Sequence, residues 1–244
     1  MTVTVRFVGS GDAFGSGGRL QAAIFVDAGD VRFLIDCGAS SLVGLKRLGI
    51  DPARIDAILV SHFHGDHFGG LPFFLLDAQF FSKRERLLVV GPPGVRDAVG
   101  RAQEALFPGS RATPAYEVEY REAAPGIEVR ALGLTVAYVA VDHTPGTAAH
   151  ALRVSAGGRT IAYTGDTAWC DAVEEVAEGA DLLIAECYGW DRAIPKHLDH
   201  ATLVANRARL RARRVVVTHL GPAALARERE AAFEVARDGM EVAL

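Results

Sequence analysis

Ser61-His62-Phe63-His64-Gly65-Asp66-His67 follows directly on the apolar run Ala57-Ile58-Leu59-Val60. The reading of this junction decides the fold. A strand that ends at residue 60 sets His62, His64, Asp66 and His67 on a tight loop at a sheet edge, where one short segment orders several metal donors at little entropic cost. Alternation in an extended segment lets His62 and His64 lean toward one ion, while Asp66 and His67 turn toward a second position. Gly65, Gly69 and Gly70 relieve the backbone where it bends. A polar loop with so many donors would be costly to bury without a cation.

The rest of the composition narrows the class of protein. The chain has 244 residues, half of them apolar, and no stretch resembling a linker, so a single domain over residues 1–244 is expected. A net charge of −4 argues against a surface built mainly to hold nucleic acid. Cys37, Cys170 and Cys187 are odd in number and set in apolar contexts, which predicts reduced thiols. No secretory leader pattern and no run of transmembrane length occurs, so no membrane partner is expected and a cytoplasmic location is.

In chain order, Val3, Val5 and Phe7 alternate with polar residues as in a half-buried strand, which runs into the glycine-rich loop 9–19. That loop does not open a helix, so it is no dinucleotide fingerprint; it is either a plain turn or a rim for the pocket. Segments 23–26 and 31–35 read as a hairpin ending at Asp36, which either caps the helix pattern 40–48 or orients a ligand histidine. A core helix is expected over 71–81, with a dimer contact or cleft wall as alternatives, followed by a strand at 87–90 and a helix at 93–107. Alternation in Tyr116-x-Val118-x-Tyr120 and at 135–139 predicts a second sheet. The basic run Arg207, Arg209, Arg211, Arg213 and Arg214 reads as a solvated face, and 223–237 as a charged helix. The fold expected is an α/β sandwich: two mixed β-sheets face to face, with helices on both outer faces.

A two-ion site needs further donors. Three strand-like runs end in them: Asp142-His143 after 135–141, Asp166 after 160–164, and His219 after 215–218. His150 is the rival of His143 but lies within a strand-like run.

His62-x-His64-x-Asp66-His67 resembles the signature of the metallo-β-lactamase fold, a group of mostly two-metal hydrolases. The resemblance implies that His62, His64 and His143 hold one divalent ion, that Asp66, His67 and His219 hold the other, and that Asp166 bridges them. Zinc is the expected metal, with manganese or iron as alternatives. Loop 9–19 and His200-Ala201-Thr202 resemble elements of the ribonuclease Z-like branch, which makes His200 the expected proton donor, with His197 in competition and Glu186 a candidate partner.

In such a site, two cations about 3.5–4 Å apart would lower the pKa of a water bridging them, with Asp66 orienting it, and the acid would protonate the leaving alkoxide. Bacterial ribonuclease Z carries a long arm for transfer RNA between the ligand histidine and the bridging aspartate; here only residues 144–165 intervene. A small phosphodiester is therefore expected as substrate rather than transfer RNA. Two alternatives are a lactone or carboxylic ester hydrolase, disfavoured because Trp169 stands where the family's lactonases place a tyrosine, and a non-catalytic small-ligand carrier. A homodimer through 73–81 is a further expectation. Three scattered cysteines do not match the cysteine-rich zinc site of the family's phosphonate-pathway members.

Overall fold

The computed structural model describes residues 2–81, 84–110 and 115–244. The first half builds β1 (Thr4–Gly9), β2 (Ala23–Asp27), β3 (Arg32–Ile35), α1 (Ser41–Arg47), β4 (Ala57–Leu59), α2 (Gly65–Phe68), α3 (Leu71–Phe81), β5 (Arg86–Gly91), α4 (Val95–Leu106) and β6 (Glu117–Glu122). The second half builds β7 (Val129–Ala131), β8 (Leu134–Ala140), β9 (His150–Ala156), β10 (Arg159–Tyr163), α5 (Asp171–Ala177), β11 (Leu182–Glu186), α6 (His200–Ala205), β12 (Val215–Thr218), α7 (Pro222–Leu225), β13 (Glu234–Val235) and β14 (Glu241–Ala243).

These strands form two seven-stranded sheets, ordered β14-β1-β2-β3-β4-β5-β6 and β13-β12-β11-β10-β9-β8-β7. Both are mixed. The first is antiparallel from β14 to β3 and parallel from β3 to β6. The second is antiparallel from β7 to β10 and parallel from β10 to β13. The two inner faces bury one core that includes Phe7, Phe33, Tyr138, Leu152 and Ile184. Full burial of each such side chain stabilises the fold by about 1.5–3 kcal/mol. A second cluster lies between the first sheet and α1, α3 and α4, and a third includes residues of the second sheet, α5, α6 and α7. The expected αββα sandwich is the observed architecture.

β4, and β5 after its exposed first residue Arg86, are apolar and buried because both faces are covered, whereas β8 alternates buried and half-buried positions. In α3, Leu71, Phe74, Leu75 and Ala78 are buried while Phe80 and Phe81 project outward. The hairpin β2–β3 and the helix α1 lie where the sequence predicts them.

Two expectations need correction. Residues 116–120 do not start the second sheet: β6 is the edge strand of the first, parallel to β5. Alternation marks a half-buried strand but carries no information on which sheet receives it. Residues 223–237 do not form one helix either. Pro222 opens the single turn α7, a second turn spans Glu228–Glu230, and β13 then adds to the edge of β12. Glu234 of β13 pairs with Arg214 at 2.7 Å, so charges that read as a helical face serve a sheet edge. The basic run is broken in the same way, since Arg213 binds Asp181 and Arg211 binds Glu178. The three cysteines are free thiols. Among the described residues no helix is long and apolar enough to cross a membrane.

Candidate metal centre

The site is built at the ends of strands. Asp36 follows β3, the 61–67 loop follows β4, His143 follows β8, Asp166 follows β10, Glu186 ends β11 and His219 follows β12. Parallel strands deliver their ends to one edge, so residues far apart in sequence arrive together. Asp36 and His219 take left-handed backbone angles (φ 59° and 60°), as does Lys196, whose carbonyl receives His143. Strain of this kind is held in place by the surrounding structure and clusters where side chains must be aimed.

The 61–67 loop is clamped from below. Cys37 N–H donates to His67 O (2.6 Å) and Gly70 N–H to Cys37 O (2.8 Å). The chains approach so closely that a Cβ on Gly38 would sit 2.2 Å from Asp66 O. Gly38→Ala is therefore expected to displace the loop, costing about 1–3 kcal/mol of stability and lowering metal content. Thermal melting and elemental analysis check this; an unchanged metal content would show that the clamp does not position the loop.

All seven expected donors meet. His62, His64, His143 and Asp166 form one group and Asp66, His67, His219 and Asp166 another, the ligand atoms within each lying within 4.8 Å of one another. In the first group His64 Nδ1 is 3.2 Å from His62 Nε2 and 3.1 Å from His143 Nε2. Ser61 Oγ donates to Asp36 Oδ2 (2.8 Å), so it can only accept from His62 Nδ1 (3.0 Å). His143 Nδ1 donates to Lys196 O (2.9 Å). The Nε2 atoms of these two rings therefore carry lone pairs into the centre when neutral. Burial, reinforced by the charge of His67, keeps His62 well below the ordinary imidazole range, and burial also lowers His64 and His143. Converging lone pairs repel unless a cation sits among them.

In the second group His67 Nε2 lies 3.2 Å from Asp66 Oδ2 and 3.3 Å from Asp166 Oδ1. His219 Nε2 lies 3.1 Å from Asp66 Oδ2 and 3.6 Å from Asp166 Oδ2. Burial works against the charged forms here, but the carboxylates outweigh it and raise both imidazoles, Asp166 acting most strongly. Burial likewise opposes ionisation of Asp166, yet His219 and His67 hold its carboxyl well below the usual range. His67 Nε2 and Asp166 Oδ1 are buried without a hydrogen-bond partner. Orphaned donors among carboxylates fit a pair of divalent cations.

Asp36 is the hub behind both groups. Its carboxylate accepts from His67 Nδ1 (2.7 Å), Ser61 N–H (2.7 Å) and Ser61 Oγ (2.8 Å). It does not cap α1, whose N-cap is Ser40. Such a carboxylate fixes the tautomer and raises ligand basicity. Asp36→Asn is expected to weaken metal affinity roughly 10- to 100-fold, read by competition with a chromogenic chelator; unaltered affinity would reduce Asp36 to a loop residue.

His200 and His197 are placed differently from the expectation. His200 opens α6 facing away from the donors: its ring stacks on Trp190 (4.0 Å between centroids, 1° between planes) and its Nε2 accepts from Ala232 N–H at 2.9 Å. His197 instead lines a cavity of about 450 Å³ with His64, Asp66, Asp166 and His219. Its Nδ1 contacts Glu186 and lies 4.0 Å from Asp166 Oδ2. Glu186, expected as the partner of His200, is thus the partner of His197. The reason is Asp199, which caps α6 by accepting from Thr202 N–H and so starts the helix just after His197. His150 is no rival of His143, because its Nδ1 donates to Ala148 O beside Tyr138.

A sequence profile described as a β-lactamase superfamily domain matches residues 31–220, most of the chain. The chain belongs to the β-lactamase superfamily. Ribonuclease Z of Mycobacterium bovis is 28% identical over 199 residues, covering 74% of this chain and 68% of the relative. Among solved structures, the metallo-β-lactamase fold protein YhfI from Bacillus subtilis superposes with a TM-score of 0.79 at 24% identity over the whole of both chains. The short form of human tRNase Z gives 0.80 at 23% identity over 98% of each. With its two clusters of histidine and aspartate donors, this β-lactamase superfamily member is a ribonuclease Z-like, metal-dependent hydrolase.

Several residues of the superfamily site carry no sequence signal of their own. Ser61 acts through a hydroxyl that could serve anywhere, Lys196 through its carbonyl, and Tyr188 lines the cavity with Ile194 and Pro195. Only the position of Tyr188, two residues beyond a strand-end acid, points toward the site edge.

Proposed function

We propose that the protein hydrolyses a small phosphodiester, with His197 as the proton donor to the leaving alkoxide. The observation that carries this reading is the contact of His197 with buried Glu186 inside the cavity that the donor groups line. Burial, and then the nearby Asp166, raises the Glu186 carboxyl well above its usual range, while burial lowers His197. The pair sets a proton-carrying group at the cavity wall, as general acid catalysis requires. His62, His64, His143 and Asp166 would hold one divalent ion and Asp66, His67, His219 and Asp166 the other; zinc suits this imidazole and carboxylate set. When bound, the pair supplies Lewis acidity toward the phosphoryl oxygens and a nucleophilic water at neutral pH. Asp66 would orient that water, and the Glu186 contact holds the His197 ring toward the cleft.

A small substrate is supported by the segment between His143 and Asp166. It is occupied by the hairpin β9–β10 with its Gly157-Gly158 turn, which leaves no length for an arm that grips a folded RNA. The test is turnover of bis(p-nitrophenyl) phosphate by the zinc-loaded protein. Release of p-nitrophenol is expected; cleavage of lactones with no diesterase activity would overturn the reading.

A further inference from the structure

Phe14 is 83% exposed, more than any other large apolar side chain among the described residues. It lines the same cavity as His64, Asp66, Asp166 and His197. Phe80 and Phe81 are also exposed but lie on α3 and do not line it. A single exposed ring is ordinary on a surface, but on the wall of a cavity it offers apolar area that a ligand can cover.

The loop that carries Phe14 is fixed in place. Asp12 is fully buried, and its carboxylate accepts from Phe14 N–H (3.3 Å), Ser16 N–H (2.8 Å) and Ser16 Oγ (2.7 Å). Gln21 Nε2 donates to Ala13 O (2.9 Å) and Gly11 N–H to Leu20 O (2.7 Å). Gly15 and Gly17 supply the left-handed angles the turn requires (φ 67° and 66°). The cost of ordering the ring's backbone is thus met before any ligand arrives. The cavity's remaining apolar lining is Ala13, Tyr188, Ile194 and Pro195, beside the polar donors. Its volume of about 450 Å³ suits a phosphoryl group with a ring system attached.

We propose that Phe14 is a specificity-determining residue, a platform on which a planar substituent of the substrate stacks while its phosphoryl group lies against the donor groups. The ligand chemistry is an aryl ring or a nucleobase carried on a phosphoester. The proposal rests on the phosphodiesterase reading for its place in a reaction, but stacking is measured without turnover.

Calorimetry on the metal-loaded protein with phenyl phosphate, adenosine 5′-monophosphate and methyl phosphate provides the test. Wild-type protein should bind a ring-bearing ester roughly 10- to 100-fold more tightly than methyl phosphate, the range typical of one base on an aromatic side chain. Phe14→Ala should abolish that preference and leave methyl phosphate unchanged, and Phe14→Trp should keep it. Loss confined to adenosine 5′-monophosphate assigns a nucleobase; loss for both ring compounds assigns any planar ring. Equal weakening of all three ligands, or of none, overturns the proposal. Turnover of bis(p-nitrophenyl) phosphate by the wild type is scored separately, and its absence sinks the phosphodiesterase reading without touching the stacking result.

Discussion

Asp166→Ala is expected to lower kcat/KM by at least about a thousandfold and to strip the protein of one or both metal ions. Asp166 is the one residue common to all three groups of metal-capable side chains among the described residues. Its Oδ1 faces His67 Nε2 at 3.3 Å, and its Oδ2 faces His219 Nε2 at 3.6 Å. Alanine removes the only carboxylate the two donor groups share, so neither keeps its full set. The variant should still fold, because the backbone around it is held by other bonds: Thr167 N–H donates to Glu186 and Ala168 N–H to Asp142 O. Asp166→Asn, which keeps the shape and loses the charge, separates the two effects and should also lose metal. Elemental analysis beside circular dichroism reads the result. Two ions per chain with wild-type turnover in either variant would sink the proposed centre.

His197→Ala should reduce kcat on a phosphodiester with an alkyl leaving group by roughly 10²–10⁴-fold, the usual worth of a positioned general acid, with metal content retained. Bis(p-nitrophenyl) phosphate, whose p-nitrophenolate leaves without a proton, should lose far less. His200→Ala should leave kcat/KM within about threefold, because its ring lies on Trp190 and its Nε2 is engaged by the Ala232 N–H. Its effect should be on stability, about 1 kcal/mol from the stacking and hydrogen bond lost. The reverse ranking, with His200 essential and His197 dispensable, would restore the role that the His200-Ala201-Thr202 resemblance implies.

The contrast between these histidines shows where reading a sequence stops. His62, His64, Asp66 and His67 were legible because their spacing after an apolar strand is itself the local structure: β4 ends, the chain extends, and α2 begins at Gly65. His143, Asp166 and His219 were legible because donors at the ends of parallel strands reach one edge whatever connects them. His197 and His200 lie three positions apart beside one helix start, and local pattern does not rank them. The cap at Asp199 and the partner Glu186, which sits at the end of β11, decide which ring enters the cleft.

The same division holds for the fold. Apolar alternation and runs determined by themselves that the chain forms two layers of strands with helices outside, because each element must bury its apolar face against another. Which sheet receives β6, that Glu234–Val235 pair with β12 rather than belonging to a helix, and that Asp36 serves His67 and Ser61 rather than α1 were decided only in three dimensions. Those outcomes depend on partners supplied by distant segments, and a hydrogen bond or packed face belongs to two places in the chain at once.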